Sequence, residues 1–427
     1  MIISILTGGS RGDVQPYIGL GKGLKRAGYE VRLIASDDFE PLVTKAGLAF
    51  YSTGFSVESV IQSDEWRAVT ERGNFLTIIS KMRGEMKNQA QKLAMSLPDV
   101  LADSDLLIAG AAGLGGGFAA ADKLGVPVIQ AYLFPLTPTR EFPSPLTPRL
   151  PLGGLLNPVS FQVTRQLLWQ STRMADVETR RILGMPKGSF WGPFRSLQER
   201  HTPSLYGYSR HVVPSPTDWP ENHHVTGYWF LDESTYWQPP ADFQAFLDDG
   251  PAPVYVGFGS MLNKNPEQVA DVVLQALKKS GQRGVMASGW GGMSPADMPD
   301  NVVMISSMPH DWLFPRMAAV VHHGGAGTTA AGLRAGIPSI VIPFMGDQPF
   351  WGQRVLDLGV GPNPIPRKKL SVETLAQAID QAVHDTAMRE RAAALGSRIR
   401  AEGGMENAVR IIQTLMAHTP IPERVLS

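Results

Sequence analysis

The segment HHGGAGTT, residues 322–329, combines residue types that bind phosphate groups. It follows an apolar run typical of a buried strand and precedes AAGLRAG, a segment with helical character. The glycines allow the backbone to approach a ligand closely. The unpaired amides of a helix start, with the hydroxyls of Thr328 and Thr329, would then face a diphosphate. A tight turn that binds nothing is the alternative, because glycine-rich turns are common between strands and helices.

The segment PFMGDQPFWGQRV, residues 343–355, places a carboxylate beside a carboxamide. Asp347 and Gln348 come just after a predicted strand, at the position where open α/β sheets bind their ligands. Together the two side chains can accept and donate hydrogen bonds, which suits the hydroxyl groups of a sugar. A solvated loop, or a helix N-cap at Asp347, is the alternative interpretation.

The segment GGSRGDVQP, residues 8–16, places Asp13 at the predicted start of a helix. A carboxylate at such a position is usually the helix N-cap, and we predict that role here. The alternative is a general base that takes a proton from a hydroxyl group. Free aspartate has a pKa near ~3.9 and is a weak base for an alcohol, so burial would have to raise that pKa. Arg11 is a candidate phosphate partner, since guanidinium groups pair well with phosphate oxygens.

A second glycine-containing turn, GFGSM at residues 257–261, also follows a predicted strand. Gly259 could offer an amide and Ser260 a hydroxyl to a phosphate group. Turns of this composition often serve packing alone, so this segment adds support only in combination with the other three.

Alternating strands and helices position these four segments. The chain opens with a predicted strand at residues 1–6, a loop, a helix that ends near Gly28, and a strand at residues 30–35. A right-handed crossover makes those two strands parallel. The pattern recurs in the second half, with strands predicted at 253–258, 283–288, 302–305, 318–322 and 339–343, a helix at 266–280 and helical character over 386–417. These elements predict an α/β fold with two doubly wound, Rossmann-like halves.

Composition indicates where the two halves meet. Residues 214–253 are rich in proline, tryptophan and tyrosine, and we place an interdomain linker at residues 232–240. This division gives an N-terminal domain over residues 1–231 and a C-terminal domain over residues 241–405. We expect a helix at residues 406–427 to pack back on the N-terminal domain. The prolines of residues 133–149 predict an aromatic surface loop there rather than a helix.

The bulk composition excludes several classes of protein. Lysine plus arginine number 39 and aspartate plus glutamate number 39, and nucleic-acid binding needs a basic excess. There is no cysteine, which excludes disulfides and thiolate metal sites. The nine histidines lack ligand-like spacing, so we expect no metal. With no apolar run long enough to span a bilayer and no signal peptide pattern, we expect a cytoplasmic protein. Peripheral, transient membrane contact and the oligomeric state stay open.

The four segments, in this order and spacing, resemble the UDP-glycosyltransferase superfamily of GT-B fold. The resemblance is closest to the branch of sterol 3-beta-glucosyltransferases and glycopeptide-antibiotic glycosyltransferases. It covers nearly the whole chain and is looser between residues 51 and 236, where such enzymes hold the acceptor. It rests on GSRGDVQPYIGLGKGL, VYVGFGSM, SGWGG, MPHDWLFPR, HHGGAGTTAAGLRAGIPSIVIPFMGDQPFWGQRV and the C-terminal helical segment.

The resemblance implies an acceptor-binding N-terminal domain and a nucleotide-sugar-binding C-terminal domain that face a central cleft. It implies Asp13 as the catalytic base, and His323 rather than His322 as the phosphate-binding histidine. The positions implied for donor binding are Ser10, Arg11, Gly259, Ser260, Trp290, Met308, His323, Gly325, Ala326, Gly327, Thr328, Asp347 and Gln348. Apolar and aromatic character favours acceptor contacts at Phe134, Phe142 and Trp169.

The implied reaction is an inverting transfer of a hexose, most simply glucose, from a UDP-sugar to a hydroxyl of a lipophilic acceptor such as a sterol, triterpenoid, polyketide or phenolic compound. No metal and no tightly bound cofactor is expected, and the UDP-sugar is a co-substrate. A dTDP-deoxysugar or rhamnose transferase acting on an antibiotic-like aglycone is the alternative. A catalytically silent nucleotide-sugar-binding protein is a remote one.

Overall fold

The computed structural model describes residues 1–54, 56, 88, 90–147, 153–234, 237–258, 266–287, 298–306 and 308–418. The chain folds into two units, each built on a parallel sheet. The first unit contains residues 1–210, residues 215–231 and the chain from Gly403 onward. The second unit contains residues 211–214 and 232–402.

The sheet of the first unit has seven parallel strands in the described part of the chain, in the order β3-β2-β1-β4-β5-β6-β7. Strands such as β4 are buried along their whole length, as expected for a parallel sheet with both faces covered. The strands are β1 (Ile2–Leu6), β2 (Glu30–Ala35), β3 (Ala49–Ser52), β4 (Leu106–Ala109), β5 (Val128–Tyr132), β6 (Ser204–Tyr206) and β7 (His223–Val225).

Helices connect these strands. They are α1 (Arg11–Arg26), α2 (Glu40–Lys45), α3 (including residues 90–101), α4 (Gly117–Leu124), α5 (Gly153–Ile182) and α6 (Phe194–Glu199), and the last helix of the chain, α14 (Gly404–His418), belongs to the same unit. The described residues of the proline-rich segment, 133–147, contain neither helix nor strand, as predicted. The prediction that this loop lies on the surface is wrong, because Leu136, Thr139 and Ser144 are buried.

Helix α1 begins earlier than predicted. Its N-cap is Ser10, whose backbone is extended, so the prediction that Asp13 is the N-cap is wrong. Asp13 is instead the third residue of the helix. Serine caps a helix as well as aspartate does, and a serine three residues before an acidic residue forms a capping box.

Helix α5 spans 30 residues that the sequence pattern did not assign to a helix. Its outward side carries exposed apolar residues such as Leu155 and Leu167, while Phe161 and Trp169 are buried. Apolar residues on both sides weaken the 3.6-residue contrast by which an amphipathic helix is detected.

Helix α14 contributes to the core of the first unit. Ala408 and Ile412 are fully buried in the cluster that holds Ile5 of β1 and Ile18 of α1. The side chain of Met405 in α14 packs directly against α1 at Gly23. The C-terminal helix is therefore part of this core, although it follows the second unit in the sequence.

The sheet of the second unit has five parallel strands in the described residues, in the order β10-β9-β8-β11-β12. All five lie within ranges predicted from the sequence. They are β8 (Val254–Gly257), β9 (Gly284–Ala287), β10 (Val302–Ile305), β11 (Ala319–His322) and β12 (Ser339–Val341).

Helices cover both faces of this sheet. Val254 and Val256 face one apolar cluster, and Tyr255 between them faces another, as alternation along a strand requires. The helices are α7 (Ala241–Asp248), α8 (Pro266–Ser280), α9 (His310–Leu313), α10 (Ala326–Ala335), α11 (Gln348–Asp357), α12 (Val372–His384) and α13 (Thr386–Ala401).

Within the described residues, none of the helices combines the length and apolar character that crossing a membrane demands.

Replacement of Ile412 tests the packing of α14. We expect Ile412→Ala to lower the free energy of unfolding by about 2–5 kcal/mol, because it removes a fully buried side chain and leaves a cavity. Chemical unfolding measures the change. The neighbouring exposed residue supplies the control, and Gln413→Ala should leave the midpoint nearly unchanged. Equal effects of the two variants would contradict the burial of α14.

Candidate active site

Asp13 faces a small cavity at the carboxyl edge of the first sheet. The cavity holds about 50 Å³ and is bounded by residues that follow β1, β4 and β5. Ligands of open α/β sheets bind at this edge, because the loops after parallel strands meet there. The lining residues are Leu6, Thr7, Gly8, Asp13, Tyr17, Gly110, Ala111, Ala112, Tyr132, Leu133 and Phe134.

Hydrogen bonds from Ser10 orient the Asp13 carboxylate. The Ser10 backbone N–H and the Ser10 hydroxyl each donate to Oδ2 of Asp13 at 2.8 Å. Gly9 makes room for this carboxylate, since a Cβ on Gly9 would stand 2.6 Å from the same Oδ2. The φ of Gly9 is +117°, which disfavours a side chain as well. Oδ2 is therefore held in place, and the carboxylate has a fixed direction.

Two opposing effects set the pKa of Asp13. Desolvation by the surrounding protein raises the pKa of this carboxyl group above its ordinary value, and the hydrogen bonds from the Ser10 side chain and backbone lower it by less. The side chain still reaches solvent, so a substrate hydroxyl could contact it. A raised pKa makes the carboxylate a better proton acceptor than free aspartate.

Tyr17 is a cavity residue that the sequence did not single out. It lies one helical turn after Asp13, and this i, i+4 spacing places both on one side of α1. Its hydroxyl donates to the carbonyl oxygen of Ala131 at 2.6 Å, and its ring packs edge-to-face on Trp229. The spacing from Asp13 is the signal by which Tyr17 could have been found.

In the second unit, β11 leads into α10 through the two histidines. The buried His322 accepts a hydrogen bond at Nδ1 from the Gly324 N–H, at 3.0 Å. His323 is half-buried, and its Nδ1 has no hydrogen-bond partner among the described residues. Burial lowers the pKa of His323 to about 4, so its imidazole is neutral near pH 7 and can contribute a hydrogen bond rather than a charge.

Gly324 and Gly325 keep the turn before α10 narrow. Gly324 has a φ of +90°, and a Cβ on it would stand 2.6 Å from Cγ1 of Val341. A Cβ on Gly325 would stand 2.5 Å from Nε2 of His323, so the imidazole lies directly over the helix start. Gly325 is the N-cap, and no side chain among the described residues caps α10. Its first amides therefore lack the side-chain acceptor that helix starts usually have.

The next residues of α10 remain accessible. Ala326, Gly327 and Thr328 are half-buried, whereas Thr329 is fully buried and donates its hydroxyl to the carbonyl oxygen of Gly325 at 2.9 Å. Of the two threonines in the motif, Thr328 is therefore placed to face a ligand and Thr329 to close the first turn.

Asp347 and Gln348 start α11 directly beside this turn. Asp347 is the N-cap, and its Oδ2 accepts from the indole Nε1 of Trp351 at 2.6 Å. Gln348 is buried, and its Oε1 accepts from the backbone N–H groups of Phe344 and Met345. Gln348 thus holds the loop that precedes it, a contact that the sequence did not predict.

The His323 turn and the Asp347 loop are neighbours because they follow β11 and β12, which pair with each other. His322 pairs with Val341, and the Ile342 N–H donates to the carbonyl oxygen of His322 at 2.9 Å. A Cβ on Gly324 would lie 3.1 Å from the carbonyl oxygen of Gln348. The structure therefore brings the predicted phosphate-binding and sugar-binding segments together at one sheet edge.

The remaining predicted residues have varied surroundings. Phe134 lines the Asp13 cavity, and Phe142 packs on Phe161 with 6.3 Å between ring centroids. Trp169 is buried and donates from Nε1 to the carbonyl oxygen of Phe190. Arg11 is exposed at the first position of α1, and Met308 is half-buried in the core of the second unit. Gly259, Ser260 and Trp290 lie outside the described residues.

Two family models match the chain. The Glycosyltransferase family 28 N-terminal domain matches residues 3–143, and the C-terminal domain of the erythromycin biosynthesis protein CIII-like family matches residues 291–415. The first range contains Asp13 and its cavity. The second contains the His323 turn and the Asp347 loop.

Curated relatives match nearly all of the chain. The sterol 3-beta-glucosyltransferase UGT80B1 of Arabidopsis thaliana is 37% identical over 437 residues, covering 99% of this chain and 69% of the relative. The sterol 3-beta-glucosyltransferase of Aspergillus clavatus is 36% identical over 437 residues, covering 97% of this chain but 30% of that longer protein.

Solved structures share the fold at low sequence identity. The calicheamicin glycosyltransferase CalG4 has a TM-score of 0.64 and 18% identity, covering 98% of this chain and 99% of that one. The glycosyltransferase VinC in complex with dTDP has a TM-score of 0.65 and 16% identity, covering 98% and 100%. Fold and site together define a GT-B glycosyltransferase that uses a nucleotide-sugar donor.

The chain belongs to the glycosyltransferase family that contains the sterol 3-beta-glucosyltransferases.

A glycine substitution tests the geometry of the turn before α10. We expect Gly324→Ala to lower the free energy of unfolding by about 2–4 kcal/mol, because a left-handed φ and a close contact with Val341 both oppose a Cβ. Chemical unfolding measures this, and calorimetric titration with UDP should show weaker binding.

Gly281→Ala is the matched control for that variant. Gly281 has a φ of +67° with open space around the Cβ position. The loss of stability expected for Gly281→Ala therefore comes from the left-handed backbone conformation alone and is about 1 kcal/mol. If the two variants lost equal stability and bound UDP equally well, the close packing of the turn before α10 would contribute neither to stability nor to UDP binding.

Proposed function

We propose that this enzyme transfers glucose from UDP-glucose to the 3-hydroxyl of a sterol, with inversion at the anomeric carbon. The observation that carries the chemistry is the Asp13 carboxylate, which hydrogen bonds from Ser10 fix in a cavity that raises its pKa. The names of the relatives, at 35–37% identity over almost the whole chain, support the sterol and the glucose.

In the proposed reaction, Asp13 accepts the proton of the acceptor hydroxyl. The acceptor oxygen attacks the anomeric carbon of the donor, a new C–O bond forms, and the bond from that carbon to the phosphate oxygen breaks. UDP leaves with the bonding electron pair. Because the attack comes from the face opposite the leaving group, the configuration inverts.

We assign the diphosphate to the start of α10. The first amides of this helix and the positive end of its dipole would stabilise the charge that develops on the leaving UDP. Thr328 would add a hydroxyl, and the neutral His323 would add a hydrogen bond from its ring. Ser10 and Arg11 would contact the donor from the first loop, and Gly259 and Ser260 from the second.

We assign the sugar to the loop before α11. The Trp351 indole holds Oδ2 of Asp347 and so orients its carboxylate toward a sugar hydroxyl. Gln348 contributes mainly by holding the loop, since its carbonyl oxygen is bonded to backbone amides. Trp290 and Met308 would surround the nucleotide base, and Phe134, Phe142 and Trp169 would support the acceptor.

A substrate panel tests the function. Purified enzyme is incubated with cyclodextrin-solubilised sterol and UDP-glucose, UDP-galactose, dTDP-glucose or dTDP-rhamnose, and glycosides are identified by mass spectrometry. We expect sterol glucoside from UDP-glucose, with equal yield in the presence of EDTA. Preferred use of a dTDP-sugar on a polyketide aglycone would support the alternative transferase. Binding of UDP-glucose without any transfer would indicate a catalytically silent protein.

Asp13→Asn tests the catalytic base. We expect turnover to fall by about 10²–10⁴-fold, the usual contribution of general base catalysis, while the affinity for UDP is kept. Because burial raises the pKa of Asp13, its charge is unfavourable in the folded state above that pKa, and the stability at pH 7 should not decrease. Turnover is followed by UDP release and stability by thermal unfolding. Unchanged turnover would remove Asp13 from the mechanism.

The pH dependence of turnover gives a second test. Activity requires ionised Asp13, so it falls as the pH falls through the raised pKa. Ser10→Ala removes a hydrogen bond that lowers this pKa, and we expect the acidic limb of the kcat profile to move to higher pH. Ser371→Ala is the matched control, because Ser371 caps α12 in the second unit. A limb that moves equally in both variants would refute the link to Asp13.

A further inference from the structure

His322, the last residue of β11, is not among the residues assigned to donor or acceptor. Its backbone lies inside the sheet, where it pairs with Gly257 of β8 on one side and with Val341 of β12 on the other. Its side chain is fully buried. Because alternate residues of a strand point to the same face, the imidazole lies on the face of Val320, which belongs to an apolar cluster. A polar ring in such a place calls for an explanation.

The Nδ1 atom of His322 closes the turn that follows β11. It accepts from the N–H of Gly324 at 3.0 Å, two residues further along the chain. Asparagine and aspartate side chains close turns by the same contact, from the side chain to the backbone N–H two residues on. This bond and the φ of +90° at Gly324 together define the path of the chain between β11 and α10.

The bond to Gly324 also fixes the protonation of the ring. An imidazole nitrogen that accepts a hydrogen bond carries no proton, so the neutral ring carries its proton on Nε2. Burial is the largest of the effects that lower the pKa of His322 to about 3, and the neighbouring His323 and His310 add to it. His322 is therefore a neutral acceptor for Gly324 at every pH near neutrality.

Packing alone does not explain a histidine at this position. The Nε2 atom of His322 is buried and has no hydrogen-bond partner among the described residues. A buried N–H group without an acceptor costs free energy, and an apolar side chain of similar size would fill the same space without this cost. The contact that the ring does make, from Nδ1 to Gly324, is the one that an apolar side chain could not supply.

The same contact decides which backbone amides of the turn remain for a ligand. The Gly324 N–H donates to the buried His322. Helix α10 begins after Gly325, and no described side chain caps it. The imidazole of His323 lies close to this helix start, since a Cβ on Gly325 would stand 2.5 Å from its Nε2. One histidine thus holds the turn from the buried side, and the other lies over the first amides of the helix.

We propose that His322 is a positioning residue: its bond to Gly324 holds the turn so that the first amides of α10 face the donor diphosphate before the donor binds. Preorganised amides stabilise an anion better than amides that must first be ordered, because the free energy of ordering is not subtracted from binding. This role rests on the proposed function, which assigns the diphosphate to the start of α10.

Two substitutions of His322 separate positioning from packing. Asparagine places its Oδ1 atom where histidine places Nδ1, so His322→Asn keeps an acceptor for the Gly324 N–H but fills less space. His322→Leu does the reverse, because leucine is apolar and of similar size but accepts no hydrogen bond. Val320→Ala is the matched control, since Val320 is fully buried on the same face of the same strand.

The affinity for UDP is measured by titration calorimetry, the affinity for uridine by ligand-observed NMR, and the Tm by thermal unfolding. We expect His322→Leu to bind UDP at least about tenfold more weakly than the wild type, and uridine within about twofold, because only the phosphate contacts depend on the turn. The kcat/KM for the nucleotide sugar should fall together with the UDP affinity. His322→Met replaces this variant if leucine prevents folding, since methionine adapts to irregular space, and the same loss is expected.

The other two variants should show the opposite behaviour. We expect His322→Asn to bind UDP within about threefold of the wild type, although the cavity beside its shorter side chain lowers the Tm. Val320→Ala should also have a lower Tm and an unchanged UDP affinity. Equal losses of UDP affinity in His322→Leu and His322→Asn would overturn the positioning role. So would a loss in Val320→Ala as large as that in His322→Leu, or an equal loss of UDP and uridine affinity.

His323→Ala separates the positioning role from the proposed function. His323 is proposed to bond the diphosphate directly, so its removal should weaken UDP binding without acting through the turn. If His323→Ala weakens UDP binding and His322→Leu does not, the diphosphate site stands and the positioning role fails. If neither variant changes the UDP affinity, or if the wild type binds no UDP, the assignment of the diphosphate to α10 fails and the positioning role fails with it.

Discussion

Backbone amides at helix starts are the physical feature on which the candidate site of each unit depends. The strands β1 and β11 each lead through a short loop into a helix, and the first amides of such a helix have no acceptor within it. In α1, the side chain of Asp13 accepts from the Ser10 amide. In α10 the N-cap is Gly325, which has no side chain to offer, and no other described side chain caps the helix. The protein itself thus satisfies the N-cap amide of α1, whereas the start of α10 retains its capacity for an anion.

Although Asp13 is not the N-cap, its place in the capping box is compatible with the role of base. The sequence left them as alternatives, whereas the structure places the carboxylate in the capping box and also on the cavity surface. Both hydrogen bonds from Ser10 go to Oδ2. They fix the direction of the carboxylate, and desolvation raises its pKa. The contact that stabilises the helix therefore also positions the group proposed to accept the proton.

Much of this arrangement follows from local sequence. Short apolar runs separated by glycine and proline predicted every strand of the second sheet among the described residues, and the helix at 266–280. Which residue caps a helix, and which partners a side chain binds, could not be predicted in the same way. Ser10 and Asp13 are both good caps, and only the backbone angles of Ser10 decide between them. The side-chain carbonyl oxygen of Gln348 accepts from the part-buried amides of Phe344 and Met345 in its own loop, and no local sequence pattern indicates this contact. Helix α5 escaped detection because its solvent side is apolar.

The size of the Asp13 cavity bears on how a lipophilic acceptor is selected. About 50 Å³ is little more than the volume of one or two water molecules, so the cavity suits a hydroxyl group and the carbon that bears it. A lipophilic acceptor is larger than this cavity, so residues beyond the cavity must hold its apolar body while its hydroxyl group meets Asp13. The small cavity thus accounts for the position of the reacting hydroxyl group and leaves the choice of acceptor to residues that lie beyond it.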